Sequence, residues 1–132
     1  LLVAFEYPMP AAHIPDNEQS RLAALDELGI TYIPLEDRFD KITRTLRRMF
    51  DMPISYISLI DKETQWLKST QGLDLFSTDR SIAICAHTLL VEEYLICEDL
   101  CQDKRFADNP LVTSGLKLRF YAGFVLKIMG KI

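Results

Sequence analysis

An α+β domain with a mainly antiparallel sheet is the fold class this sequence predicts, and three observations carry the prediction. The chain has 132 residues, a length that suits one compact domain. Two segments of helical period open it, and short strand-like apolar runs follow. The first two of those runs are separated by only four residues, Asp61-Lys62-Glu63-Thr64, which is a hairpin turn and far too short for a parallel crossover.

Residues 1–15 carry Pro8, Pro10 and Pro15 without an apolar period and read as an extended lead-in, leaving one domain over 16–132. Asp16 with Gln19 three residues on is a capping-box pattern; Leu22, Leu25 and Leu28 form an apolar side, and Gly29 stands where a helix stops. Thr31 to Pro34 connect to a second helix, in which Leu35, Phe39, Ile42, Leu46 and Met49-Phe50 recur at three- and four-residue spacing. Its acids come early and its arginines late, matching the helix dipole, and Pro53 ends it.

The period then changes. Ile54 to Ile60 has large apolar side chains on both faces and reads as a central strand; Gln65 to Thr70 is its hairpin partner, broken by Gln71-Gly72. Ser81 to Val91 is apolar nearly all round and reads as a buried helix with Asp79 as its cap. Tyr94 to Cys97 is a third strand, Asp99 to Asn109 a polar loop, Asn109-Pro110 a turn or helix start, and Leu118 to Leu126 a fourth strand, with Met129-Gly130 placed to turn the chain again.

Composition narrows the function classes. With 48% hydrophobic and 26% charged residues the chain is globular, and its net charge of −4, with bases interleaved among acids, argues against a nucleic-acid partner. The longest apolar stretch, Tyr121 to Leu126, falls far short of the roughly 20 residues a membrane helix needs, so no membrane contact is expected. No basic region precedes Leu1-Leu2-Val3-Ala4-Phe5, so a secretory signal is unsupported. Three cysteines, an odd number at low density, argue for a reducing compartment, and the expected location is cytoplasmic. Five scattered glycines form neither G-x-G-x-x-G nor a P-loop, and no nucleophile is paired with a base by spacing, so catalysis by this chain is not expected.

Several strings resemble one family. Asn17-Glu18, Arg21 to Leu25, Leu28-Gly29-Ile30 and Phe39 to Thr43 are similar to the first helices of bacterial GAF domains, the sensory modules of many signalling proteins. Pro53 to Asp61, with Gln65 to Ser69 and Gly72-Leu73, resembles their first hairpin. Cys85-Ala86-His87-Thr88 resembles their central helix, Asp99 with Asp103 to Val112 their long loop, and Arg119 to Gly123 a later strand. The resemblance runs in order from about Asn17 to the end. It implies a GAF-like, PAS-related antiparallel sheet with terminal helices on one face, and on the other a small-molecule pocket under loops and short helices. GAF domains run on past the Met129-Gly130 position with a further strand and a closing helix. The sequence stops at Ile132, so a C-terminally truncated domain with an open sheet edge is expected.

Within that frame, Asp103, Arg105, Phe106 and Asn109 are candidate ligand-binding residues, because loops held on a rigid sheet concentrate binding groups. Trp66, Phe120 and Tyr121 are candidates for lining the pocket, although strand aromatics are more often core. Cys85 and His87 are candidates too; two apart on a helix, they point to different sides, and a packed cysteine with a hydrogen-bonded histidine is the ordinary reading. Photosensory relatives attach linear tetrapyrroles through cysteine, but the surrounding string resembles pigment-free members. Zinc held by Cys85, His87, Cys97 and Cys101 is disfavoured because these residues form no compact tetrahedral motif. The Asn-Lys-Phe-Asp-Glu type motif of cyclic-nucleotide-binding members is absent, which lowers cyclic GMP or AMP as the ligand.

The sequence therefore identifies no cofactor and no metal site, and leaves an unassigned small molecule as the expected ligand. The resemblance implies a non-catalytic sensory domain, homodimeric through its terminal helices, next to an output module such as a histidine kinase or diguanylate cyclase. The alternative is an enzyme similar to free-methionine-sulfoxide reductases, working through Cys85, Cys97 and Cys101.

Overall fold

The computed structural model describes residues 11–29 and 37–127. The lead-in before residue 11, the connector Thr31 to Pro34, Leu35 and the Met129-Gly130 turn lie outside the described residues. Helices and antiparallel sheets give the expected α+β class. Two compact units, residues 16–80 and residues 81–127 with 11–15, are described in turn.

In the first unit, α1 (Glu18–Leu28) begins at Asn17, whose side chain makes no capping bond, so the capping box anchored on Asp16 does not form. Its end is as expected: Gly29, at φ 61°, donates its N–H to the Asp26 carbonyl. The residue α1 buries is Arg21, while Leu28 is exposed. One ion cluster explains this. Glu18 accepts two bonds of 2.9 Å from Arg21 and another from Arg80, and Arg21 also donates to the Ile60 carbonyl at 2.6 Å. Burial by itself raises the Glu18 carboxyl, but the bonds and charges of Arg80 and Arg21 outweigh it and hold the group at about 2.

Helix α2 (Asp37–Met49) packs on β1 (Ser55–Ile60) and β2 (Thr64–Gln71) through a polar line. Thr43, fully buried, shares a 2.9 Å hydrogen bond with Ser69, which also donates to Asp40 at 2.5 Å; Gln71 donates to Thr43 at 3.3 Å. Ser69 and Gln71 on the facing strand select this line, so the apolar stripe read from the sequence points away from the sheet except at Phe39, which is half-buried against Lys68 of β2. Ile42, Leu46, Met49 and Phe50 are exposed.

The β1–β2 hairpin forms across Asp61 to Thr64, with Asp61 N–H donating to the Thr64 carbonyl at 2.8 Å. A bulge between Ile57 and Ser58 shifts the register, so that Ile57 faces Ser69 and Ser58 faces Leu67. A strand that the sequence reading lacked, β3 (Ser77–Asp79), pairs with the other edge of β2. Among the described residues the order β1-β2-β3 makes β2 central and β1 an edge, which differs from the reading of Ile54 to Ile60 as the covered centre.

Gly72 ends the hairpin at φ 74°, and a Cβ there would lie 2.0 Å from the Pro53 carbonyl oxygen. Both the backbone conformation and the contact with rigid main chain forbid a side chain. Gly72→Ala is expected to cost about 1–3 kcal/mol of stability, read from urea unfolding.

In the second unit, the helix expected over Ser81 to Val91 breaks up. Arg80–Ile82 is a single 3-10 turn at the boundary, and α3 is only Cys85–Thr88. Bonds three residues apart dominate here, from Ala86 to Ala83, His87 to Ile84 and Leu90 to His87. The Ile82 carbonyl is taken instead by the Asn109 side chain at 2.8 Å. Asp79, expected to cap this helix, sits in β3 opposite Thr64.

Strand β4 (Tyr94–Cys97) pairs antiparallel with β5 (Tyr121–Phe124), shorter than the expected strand from Leu118 to Leu126. Leu95 and Cys97 face a core completed by Ile84, Leu100, Phe106, Val112 and Tyr121, while Tyr94 and Ile96 alternate outward. Asn109-Pro110 starts α4 (Pro110–Thr113): the Asn109 side chain caps it by accepting from Leu111 N–H at 2.9 Å.

Candidate functional site

Eight of the nine candidate residues fall in the second unit. Its loop between β4 and α4 is tied down from within. Asp103 accepts from the Arg105 guanidinium at 3.0 and 2.7 Å and from its backbone N–H at 2.9 Å. These bonds hold the Asp103 carboxyl at about 2 against the opposing effect of burial. The Arg105 guanidinium lies 5.0 Å from the centre of the Phe106 ring, and the His87 ring meets the same phenyl edge-on, 4.8 Å between centroids.

Phe106 and Asn109 are both fully buried. The two ends of the Asn109 amide are occupied, one by the Ile82 carbonyl and one by Leu111 N–H, so its work in this structure is to fix the loop. Phe106 is the platform on which His87 and Arg105 rest. Arg105 itself is partly exposed.

His87 is 7% exposed, and its Nε2 has no hydrogen-bond partner among the described residues. Burial, reinforced by the Arg105 charge and opposed by Asp103, lowers its affinity for a proton below the ordinary value of 6.5. The unfolded chain takes up that proton near pH 6.5 while the fold resists it. This share of stability is therefore complete above about 6.5 and declines as pH falls toward the lowered folded value. Thermal unfolding at pH 7.5 and 5.5 is expected to show this decline, and His87→Phe to flatten it.

Cys85 points elsewhere. The Tyr121 hydroxyl contacts its sulfur at 3.2 Å and Thr88 Oγ1 at 2.8 Å, and burial pushes the phenol up. Tyr121 folds along its own strand over Gly123, where a Cβ would meet that hydroxyl at 2.1 Å. Thr88, which completes this trio, was not a sequence candidate; it is 33 residues from Tyr121, and no local pattern joins them. Phe120 is exposed, and Trp66 belongs to the other unit, half-buried on β2.

Cys97, buried at the end of β4, donates its thiol hydrogen to Asp103 at 3.6 Å. Burial first, and the Asp103 charge second, push this thiol up, which makes it a poor nucleophile at neutral pH. Cys101 is exposed, and all three cysteines are free thiols. Among the described residues, no group of three or more His, Cys, Asp or Glu side chains comes together to hold a metal ion, and no helix is long and apolar enough to cross a membrane.

Helices with antiparallel hairpins, and a long loop closed over a buried histidine, define an α+β domain of the GAF type. The family model for the GAF domain matches residues 34–131, and the chain belongs to that family. A cyclic di-GMP phosphodiesterase of Pseudomonas aeruginosa is 36% identical over 109 residues, covering 83% of this chain. The chain spans only about 19% of that relative's length.

Proposed function

We propose that the chain is a regulatory, non-catalytic GAF domain of a bacterial signalling protein and binds a small polar molecule beside His87. The buried, unpartnered Nε2 carries this reading. A buried polar atom without a hydrogen bond costs about 1–3 kcal/mol, and a bound molecule offering a donor or acceptor relieves that cost. The half-exposed Arg105 supplies a second, charged contact on the Phe106 platform. Cys85 and Tyr121, hydrogen-bonded to each other, shape the apolar side.

The parent protein, on this reading, works in the cytoplasm, and it acts on cyclic di-GMP as the name of the Pseudomonas relative describes for that enzyme. Its GAF domain would alter output by shifting a population between two states as the ligand binds. Native against denaturing mass spectrometry of the purified protein tests this. An added mass that disappears on denaturation, and is absent from His87→Phe, is the expected result; a bare mass in both variants counts against a ligand at this position.

A second reading, a homodimerisation module, is favoured by the exposed stripe Ile42, Leu46, Met49 and Phe50 on one side of α2. It accords with the homodimer through terminal helices that the resemblance implies. A dimer that carries no added mass, and that Met49→Glu dissociates, selects this reading.

A further inference from the structure

In the unit of residues 16–80, the last turn of α2 and the chain after it enclose an open cleft of about 560 Å³, lined by Arg44, Arg47, Arg48, Asp51, Pro53 and Gln71 among others. We propose that this cleft binds a small phosphorylated molecule through its three guanidiniums.

The arginines stand at positions i, i+3 and i+4 of one helix, so they are surface neighbours. Their ordinary role at this end would be to neutralise open helix carbonyls. Here that role is filled by backbone. Phe50 N–H bonds to the Leu46 carbonyl at 3.1 Å, Asp51 N–H to Arg48 at 3.4 Å and Met52 N–H to Arg47 at 3.1 Å, with Asp51 left-handed at φ 49°. This is a Schellman closure made without glycine. No carboxylate among the described residues pairs with Arg44, Arg47 or Arg48, and Asp51 is the one acid in the lining. Three positive charges against one negative therefore converge on a cleft of small-molecule size, in a chain whose net charge is −4.

Main chain backs one side of the cleft. Gly72 packs directly on the Pro53 carbonyl, and the Arg47 guanidinium carbon lies 3.6 Å from where a Gly72 Cβ would stand. The absent side chain leaves that guanidinium seated against main chain. Planar forks with paired N–H donors match the oxygens of a phosphate, and their charge is insensitive to pH. The lining contains no aromatic ring to stack a base. Recognition on this surface is accordingly of the phosphates, two or more of them, rather than of an attached ring.

Isothermal titration of the full chain with inorganic pyrophosphate at physiological salt tests the assignment, with inorganic sulfate as the competing anion. Saturable one-site binding is expected, weakened roughly tenfold by each single Arg→Gln change at 44, 47 or 48 and lost in the triple variant. Failure to saturate at millimolar pyrophosphate overturns the proposal. So does unchanged affinity in the triple variant, or sulfate binding as tight as pyrophosphate. Should the triple variant melt early, Arg48→Gln alone decides, because equal affinity in that folded variant and the parent removes the guanidinium from the site.

Discussion

Glu18→Gln lowers the unfolding free energy of the chain by about 3–5 kcal/mol, the cost of leaving buried charge without its counterion. Arg21 and Arg80 are only 6% and 8% exposed, and both direct guanidinium nitrogens at this one carboxylate. Glutamine keeps the length and one acceptor oxygen but removes the negative charge, so two desolvated cations face each other. Their remaining bonds, from Arg21 to the Ile60 carbonyl and from Arg80 to the Asp61 and Lys62 carbonyls at 3.1 and 3.4 Å, are to neutral acceptors. Urea unfolding monitored by circular dichroism reads the loss as a lower midpoint at constant slope.

The same substitution has a pH signature. Glu18 titrates at about 2 in the fold, against an ordinary 4.5. Its contribution is complete above about pH 4.5 and is lost as pH falls through about 2, because only the unfolded chain binds the proton in between. The parent is expected to lose stability across this window more steeply than Glu18→Gln, which has no carboxyl there to protonate. Parallel slopes in the two proteins would disprove the ion cluster's role.

Phe106→Ala costs about 3–5 kcal/mol, the range for emptying a fully buried aromatic site. The ring is completely buried among Ile84, Leu95, Leu100, Val112 and Tyr121, so its removal leaves a cavity walled by side chains from both strands and both short helices of the unit. Phe106→Leu retains most of the volume and is expected to cost less than about 1.5 kcal/mol. The pair of variants separates packing from binding. A residue that lined an open ligand site would lose little stability on truncation, whereas the platform beneath His87 and Arg105 loses a great deal. In Phe106→Leu, loss of the co-purified mass with stability kept would show that the edge-on contact orients His87 for its ligand.

Much of this fold was legible because it rests on interactions within four residues. The stop at Gly29, the turn at Asp61 to Thr64, the break at Gly72 and the Asn109-Pro110 helix start are each decided by a glycine, a proline or a side chain that bonds its own backbone. Of the candidate site, the Asp103–Arg105 pair was legible for the same reason, being two residues apart. The contact of His87 with Phe106 was not, since nothing near either residue in sequence announces the other.

By itself, then, the sequence determined the α+β class, the succession of helices and hairpin strands, and membership of the GAF family. Tertiary structure alone decided which faces those elements present. Helical periodicity marked an apolar stripe on α2 but could not tell that Ser69 and Gln71, 26 and 28 residues beyond Thr43, would draw the opposite, polar line onto the sheet. Alternation could not reveal that three residues, Ser77–Asp79, would pair with β2 and displace β1 to the edge. Arg80 reached Glu18 across 62 residues, and Asn109 took the Ile82 carbonyl across 27, breaking a helix that local propensity favoured. The physical reason is common to all of these: a buried polar group must find a partner wherever the fold brings one, and its demand outweighs the tenths of a kcal/mol that local preference supplies.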